Sequence, residues 1–110
     1  MSGWFELSRS RDNQYRFVLK AGNGEIILTS ELYTTKSSAE NGISSVYANS
    51  LLDERYEKKI ASNGKYYFNL KAANHQVIGT SQMYPSQQSR DTGIASVKNN
   101  GNSKIIKDNT

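Results

Sequence analysis

Apolar and polar residues alternate along the chain in two separate stretches, residues 14–21 and residues 65–72. In each stretch every second residue is apolar or aromatic, which is typical of a strand with one buried face. Shorter strand patterns precede both stretches, at residues 4–8 and 56–60, and residues 25–30 form the next strand after the first stretch. Each half of the chain is therefore predicted to begin as a three-stranded meander. The pair Asn23-Gly24 predicts a tight turn with both residues at positive φ.

The period then changes from two residues to about 3.6. Ala39, Ile43 and Val46 are spaced as on one face of a helix, and Ile94 and Val97 repeat the stripe in the second half. A glycine, Gly42 or Gly93, lies beside each stripe. Glycine costs about 1 kcal/mol in a helix interior, so its presence in both halves indicates that helix and sheet approach closely there.

The two halves are copies of one unit. A shift of 51 residues without a gap gives 17 identities when residues 4–50 are compared with residues 55–101. The chain is predicted to be one domain, residues 1–110, with repeat one at about 3–50, repeat two at about 54–101 and a last strand at about 104–107. A unit of this size is too small for a core of its own, so the copies are expected to share one.

Three segments of the first copy carry a resemblance to a known family: residues 17–25 (FVLKAGNGE), 27–33 (ILTSELY) and 37–43 (SSAENGI). They resemble the YegP-like family of uncharacterised bacterial proteins, the DUF1508 domain, and the second copy matches in the same register. The resemblance covers nearly the whole chain. Two departures are small: Asn74-His75-Gln76 stands where the motif usually has Asn-Gly-Glu, and Pro85 replaces a hydroxyl residue.

The resemblance implies an α+β fold of two tandem β3-α-β repeats. Their strands would merge into one antiparallel sheet with the helices packed on it, and the strand after each helix would be exchanged into the other repeat. It implies no established activity. The two repeats would complete each other, so the protein is expected to be a monomer.

Composition removes several classes of function. The chain of 110 residues has no cysteine and one histidine, which excludes disulfides, thiol nucleophiles, thiolate zinc sites and iron–sulfur clusters. Its longest uninterrupted apolar runs are three residues, too short for a membrane span or a signal peptide. The sequence predicts a soluble, cytoplasmic protein that uses no cofactor.

The net charge of +4 belongs entirely to residues 52–110, since residues 1–51 hold five basic and five acidic side chains. Basic and aromatic residues alternate with the apolar ones on two of the predicted strands. Such a face is how single-stranded nucleic acid is held, and the sequence therefore predicts a polyanion-binding face. Its candidate residues are Arg16, Lys20, Lys65, Tyr67 and Lys71. The alternative is an ordinary solvated sheet face.

A second hypothesis is a protein-interaction module. Trp4 has no aromatic counterpart in the second copy, where Arg55 occupies its position, so it is a candidate anchor for a partner. Tyr33 and Tyr84 follow strands in both copies and would line a symmetric pocket or interaction surface. The competing interpretation is that both tyrosines support the core beneath the helices.

A small enzyme is the third hypothesis. His75 with Ser62, Ser81 and Asp91 contains the residue types of a catalytic triad, but no nucleophile-elbow pattern surrounds either serine. Glu6 and Glu57 occupy equivalent positions and would form a carboxylate pair or metal site if the fold brought them together. The sequence favours a binding module that is not an enzyme.

Overall fold

The computed structural model describes residues 3–110. The first repeat comprises three strands and a helix, and the second repeat comprises three strands, a helix and a final strand. Their bounds are β1 Trp4–Arg9, β2 Tyr15–Lys20, β3 Ile26–Ser30, α1 Lys36–Asn49, β4 Tyr56–Ile60, β5 Tyr66–Lys71, β6 Val77–Thr80, α2 Gln87–Asn100 and β7 Ile106–Asp108. All seven strands form one sheet in the order β4-β5-β6-β3-β2-β1-β7. The predicted α+β class and the two tandem repeats are confirmed.

The repeats share one core between the helices and one side of the sheet. Alternation on β2 buries Phe17 and Leu19, and the equivalent alternation on β5 buries Phe68 and Leu70. Each helix contacts strands of both repeats. Neither repeat therefore has a core of its own, because its helix needs the other repeat's strands to cover its apolar face.

The central strands β3 and β6 join the repeats and lie on either side of a pseudo-two-fold axis. Thr29 faces Thr80 across this antiparallel pair, and the two threonines are repeat equivalents. Next to each threonine, the hydroxyl of Ser30 or Ser81 accepts a hydrogen bond from the backbone N–H of a core phenylalanine, at 2.9 and 3.0 Å. The same serine hydrogen bond therefore links the second and third strands of each meander beside the axis.

The strand after each helix lies with the other repeat, as expected. β4 follows α1 and pairs with β5, whereas β7 follows α2 and pairs with β1. The expectation of a purely antiparallel sheet is wrong in one place, because β7 runs parallel to β1. β1 pairs antiparallel with β2, just as β4 pairs antiparallel with β5. The last strand, β7, therefore lies on the outer edge of β1.

The hairpin turns differ from the sequence prediction. At the β2–β3 turn only Gly24 has positive φ, at 85°, and its N–H donates to the carbonyl of Ala21. All four hairpins use this same loop, with one left-handed residue in the third loop position. The remaining left-handed residues are Asn13, Gly64 and His75.

The close approach of helix and sheet at the two helix glycines is present. A Cβ on Gly42 would lie 2.5 Å from the Tyr33 hydroxyl, and a Cβ on Gly93 would collide with the Tyr84 hydroxyl. Both glycines are buried. They are therefore packing positions that admit a tyrosine between helix and sheet.

Candidate functional site

One side of the sheet carries no helix from residues 3–110, and we call it the open face. Alternation along the strands sends the side chains between the core residues to this side, as with Val18 beside Phe17 and Leu19. The charged residues of the open face are six cations, Arg16, Lys20, Lys59, Lys65, Lys71 and Lys107, and two carboxylates, Glu6 and Glu57.

The five residues predicted for polyanion binding all lie on the open face, but in two groups. Arg16 and Lys20 belong to β2, whereas Tyr67 and Lys71 belong to β5 and Lys65 immediately precedes it. β3 and β6 lie between the groups, so about 14 Å of sheet separates them. The strip between them is uncharged and includes Thr29 and Thr80.

Two of the predicted cations are already paired. Lys20 Nζ lies 3.2 Å from Glu6 Oε2, and Lys71 Nζ lies 3.1 Å from Glu57 Oε2. The four residues form two pairs that are repeat equivalents. The pKa of Glu6 is below its usual value because Trp4 and Lys20 donate hydrogen bonds to its carboxylate, and that of Glu57 is lowered by hydrogen bonds from Lys71 and Asn69.

Trp4 belongs to a cluster at the β1 end of the open face. Its Nε1 donates a 2.7 Å hydrogen bond to Glu6 Oε2. Lys107 Nζ lies 4.3 Å from the centroid of the Trp4 ring, and Lys20 Nζ lies 6.0 Å from it. Cation–π attraction therefore holds two lysines beside one aromatic ring. Trp4 is half-buried rather than a fully exposed anchor.

Sequence reasoning missed two cations of the open face. Lys59 of β4 lies opposite Tyr67 of β5, and Lys107 of β7 lies opposite Glu6 of β1. In the described part of the chain neither lies within 4 Å of a carboxylate, and the same is true of Arg16 and Lys65. The alternation of β4 places Lys59 on this face, whereas the position of Lys107 depends on the pairing of β7.

The helix side has a different electrostatic arrangement. Lys36 pairs with Asp108, and Lys98 pairs with Asp53. Lys58 and Arg90 share Asp91 at 3.4 and 3.2 Å. In residues 3–110, these four cations of the helix side are therefore paired, whereas four of the six cations of the open face are not.

Tyr33 and Tyr84 lie between sheet and helix, and their contacts agree with the core-support interpretation. Tyr84 is 9% exposed and stacks on Phe68 with ring centroids 6.5 Å apart, while Tyr33 stacks on Phe17 at 6.3 Å. Burial raises the pKa of Tyr33. Each tyrosine also lines a cleft between its own helix and the β-hairpin of the other repeat, about 430 Å³ at Tyr33 and 290 Å³ at Tyr84.

The catalytic constellations considered from the sequence are not assembled. Glu6 and Glu57 lie five strands apart, about 24 Å, so the fold does not bring them together as a carboxylate pair, and both are surface strand glutamates. His75 lies in an exposed hairpin turn, while the Ser81 hydroxyl donates to the carbonyl of Gln82 and Asp91 pairs with cations. Their bonding partners show structural roles for Ser81 and Asp91. Ser62 precedes β5 and Ser81 follows β6, whereas His75 lies in the turn between these two strands, so neither serine lies at the same end of the strands as His75.

Residues 3–110 contain no group of three or more histidine, cysteine, aspartate or glutamate side chains placed to hold a metal ion. Neither of the two 14-residue helices has the length and apolar character needed to cross a bilayer.

These features define a two-repeat α+β protein with a single shared core and one uncovered sheet face. A family model described as a domain of unknown function, DUF1508, matches residues 10–57 and again residues 61–108. The chain therefore belongs to the DUF1508 family, and the resemblance seen in the sequence motifs is confirmed.

Similar proteins match this chain over nearly their full length. The chain is 76% identical over 110 residues to the UPF0339 protein YegP of Escherichia coli K12, with 100% of both chains covered. A UPF0339 protein of Acinetobacter baylyi is 71% identical, covering 100% of this chain and 99% of its own. The solution NMR structure of YegP from E. coli, a protein of unknown function, matches with a TM-score of 0.95 and 75% identity, covering 100% of this chain and 95% of that chain.

Proposed function

We propose that this protein is a non-enzymatic binding module that holds single-stranded nucleic acid or a similar polyanion on its open face. The observation that carries the proposal is the charge of that face, six cations against two carboxylates on a surface that no helix covers. Four of those cations have no carboxylate within 4 Å in residues 3–110, so their charge is available to phosphates.

Aromatic surface accompanies the unpaired cations at both edges of the face. Tyr67 is half-buried beside Lys59 and near Lys65, and Trp4 lies beside Lys107. Bases stack on such rings without sequence preference while lysines neutralise the backbone. The proposed residue set is therefore Trp4, Arg16, Lys59, Lys65, Tyr67 and Lys107, with Lys20 and Lys71 held by their glutamates as supporting cations.

The interaction-module alternative has less support. An anchor for a protein partner is most effective when it is exposed and without strong contacts, whereas the Trp4 indole N–H and ring are both occupied by neighbouring side chains. Those neighbours are charged, which suits a polyanion better than an apolar partner.

The test is a titration with a single-stranded oligo(dT) probe, observed through the fluorescence of Trp4. We expect affinity to fall with salt, with a slope of log K against log[salt] of about −3 for four phosphate contacts. Lys59→Gln combined with Lys107→Gln should weaken binding and reduce the slope by about half. Lys104→Gln is the matched control, since this cation lies beside Tyr47 of α1 on the helix side. Affinity that does not change with salt, or an equal loss in the control, contradicts the proposal.

A further inference from the structure

Three arginines lie at or beside the first hairpin turn. Arg9 ends β1, Arg11 lies in the turn and Arg16 is near the start of β2. They line a cleft of about 480 Å³ together with Ser10, Asp12 and Leu32. With three guanidinium groups and one carboxylate, the lining has a net charge of +2.

The guanidinium groups of this cleft are not used within the protein. In the described part of the chain none of them lies within 4 Å of a carboxylate or donates a hydrogen bond, in contrast with Arg90, which does both. Arg9 lies opposite Tyr15 across the β1–β2 pair, on the core side of these strands, and its Cζ is 5.4 Å from the centroid of the Tyr15 ring. A cation–π contact leaves the N–H groups of a guanidinium available for hydrogen bonds.

Ser10 supplies an independent observation. It lines the same cleft, and its Oγ is buried with no hydrogen-bond partner among residues 3–110. Buried hydroxyls are normally paired, so an unpaired one in a cleft lined by arginines is unusual. In a phosphate site this hydroxyl would be a neutral donor to a ligand oxygen.

Repeat two shows that the arginines are not required to build the turn. The backbone N–H of Ser10 bonds to the carbonyl of Gln14 at 2.7 Å, and the equivalent bond joins Ala61 to Lys65 at 2.8 Å. The fold of the turn is thus the same in both repeats. Yet no position equivalent to the cleft lining carries a charge in repeat two, where those residues are Ile60, Ala61, Ser62, Asn63, Tyr67 and Met83.

We propose that the cleft formed by Arg9, Ser10, Arg11 and Arg16 is an anion site that binds a phosphate group. Arginine donates paired, charge-assisted hydrogen bonds that match the geometry of phosphate oxygens, and the net charge of +2 on the lining balances a dianion. The ligand is inorganic phosphate, a phosphomonoester or the terminal phosphate of a nucleic acid strand. This site does not depend on the proposed open-face function, with which it shares only Arg16.

The first experiment is a titration of the isotope-labelled protein with inorganic phosphate at constant ionic strength, followed by amide NMR shifts. We expect saturable shifts in residues 9–16 and none in the equivalent residues 60–67. Arg11→Gln should weaken phosphate binding about tenfold or more, because one charge-assisted interaction is lost. Arg11 is exposed in the turn, so unchanged shifts elsewhere will show that the variant is folded.

The matched control is Lys104→Gln, which removes one exposed cation beside Tyr47, outside both proposed sites, and should leave phosphate affinity unchanged. Shifts that grow linearly without saturation, equal shifts in both turns, or full affinity in Arg11→Gln would each overturn the proposal.

A second comparison separates the sources of the phosphate and separates this site from the open face. Oligo(dT) with a 5′-phosphate should bind more tightly than the same oligonucleotide without it, and Arg11→Gln should abolish that difference, if the site takes a strand end. Phosphate binding without this difference supports a site for free phosphate or small phosphomonoesters. Binding of unphosphorylated oligo(dT) is assigned to the open face if Lys59→Gln with Lys107→Gln weakens it and Arg11→Gln does not, so either proposal can fail while the other stands.

Discussion

Leu28 and Gly79 occupy equivalent positions in the two repeats, and yet they contact each other across the pseudo-two-fold axis. A Cβ on Gly79 would lie 2.9 Å from Leu28 Cγ and 2.9 Å from the carbonyl oxygen of Thr29. The Leu28 side chain fills the space above the axis, where there is no room for a second side chain from β6. The repeat symmetry is therefore broken at its centre by packing.

Gly79→Ala should destabilise the protein by about 1–3 kcal/mol, because the added methyl overpacks the centre of the sheet. Urea unfolding measures the effect. In the Leu28→Ala background, Gly79→Ala should cost less than it does in the wild-type protein, because the leucine side chain that the added methyl would contact is gone. Strict additivity of the two changes would contradict the proposed contact.

Gly42→Ala and Gly93→Ala should also destabilise the protein, which is the reverse of the usual effect. Alanine normally stabilises a helix interior by about 1 kcal/mol relative to glycine. Here the new methyl would meet the Tyr33 or Tyr84 hydroxyl and ring. Thermal unfolding of both variants checks the sign. Ser44→Ala, on an exposed position of α1, is the control and should be neutral or slightly stabilising.

His75→Gly should stabilise the protein by about 0.5–1 kcal/mol. His75 has φ of 70°, a conformation that costs a residue with a Cβ more than the added chain entropy of glycine. Asn13→Gly should give a smaller gain, because asparagine tolerates this conformation better. Gly24→Ala, at φ 85°, is the reverse control and should be destabilising; denaturant midpoints for the three variants will establish the order.

The fluorescence of Trp4 should titrate with the carboxyl of Glu6, at a pH below 4.5. The folded pKa of Glu6 is lowered from 4.5 by hydrogen bonds from Trp4 and Lys20. Its stabilising contribution is therefore fully present above the unfolded pKa and is lost as pH falls through the folded pKa. Lys20→Met should move the fluorescence midpoint upward toward 4.5, and Glu6→Gln should remove this transition. A midpoint unaffected by Lys20→Met contradicts the assigned cause.

Much of the fold could be predicted from local pattern. The alternation of residues 14–21 and 65–72 and the change to a helical period identify strands and helices because burial on one face imposes those periods. The repeat predicted a shared core for a similar reason, since each unit is too small to bury its own apolar surface. Gly42 and Gly93 indicate from the sequence that helix and sheet pack closely, although the sequence does not identify Tyr33 and Tyr84 as their neighbours.

The candidate site was predictable only in part. Alternation correctly places Arg16, Lys20, Tyr67 and Lys71 on one face, because side-chain direction within a strand is local. It does not reveal that Lys20 and Lys71 are paired, since their glutamates lie on neighbouring strands. The arginine cleft was missed because Arg9, Arg11 and Arg16 lie in a half of the chain whose net charge is zero.

The sequence by itself determined the elements, the duplication, and the side of each strand that is buried. Only the tertiary structure decided that β3 and β6 join at Thr29 and Thr80, that β7 lies parallel to β1, and that Glu6 and Glu57 are far apart. The physical reason is that hydrophobic period acts within a segment, whereas strand order is decided by how the segments together cover the core. The charges available to a ligand follow from that order.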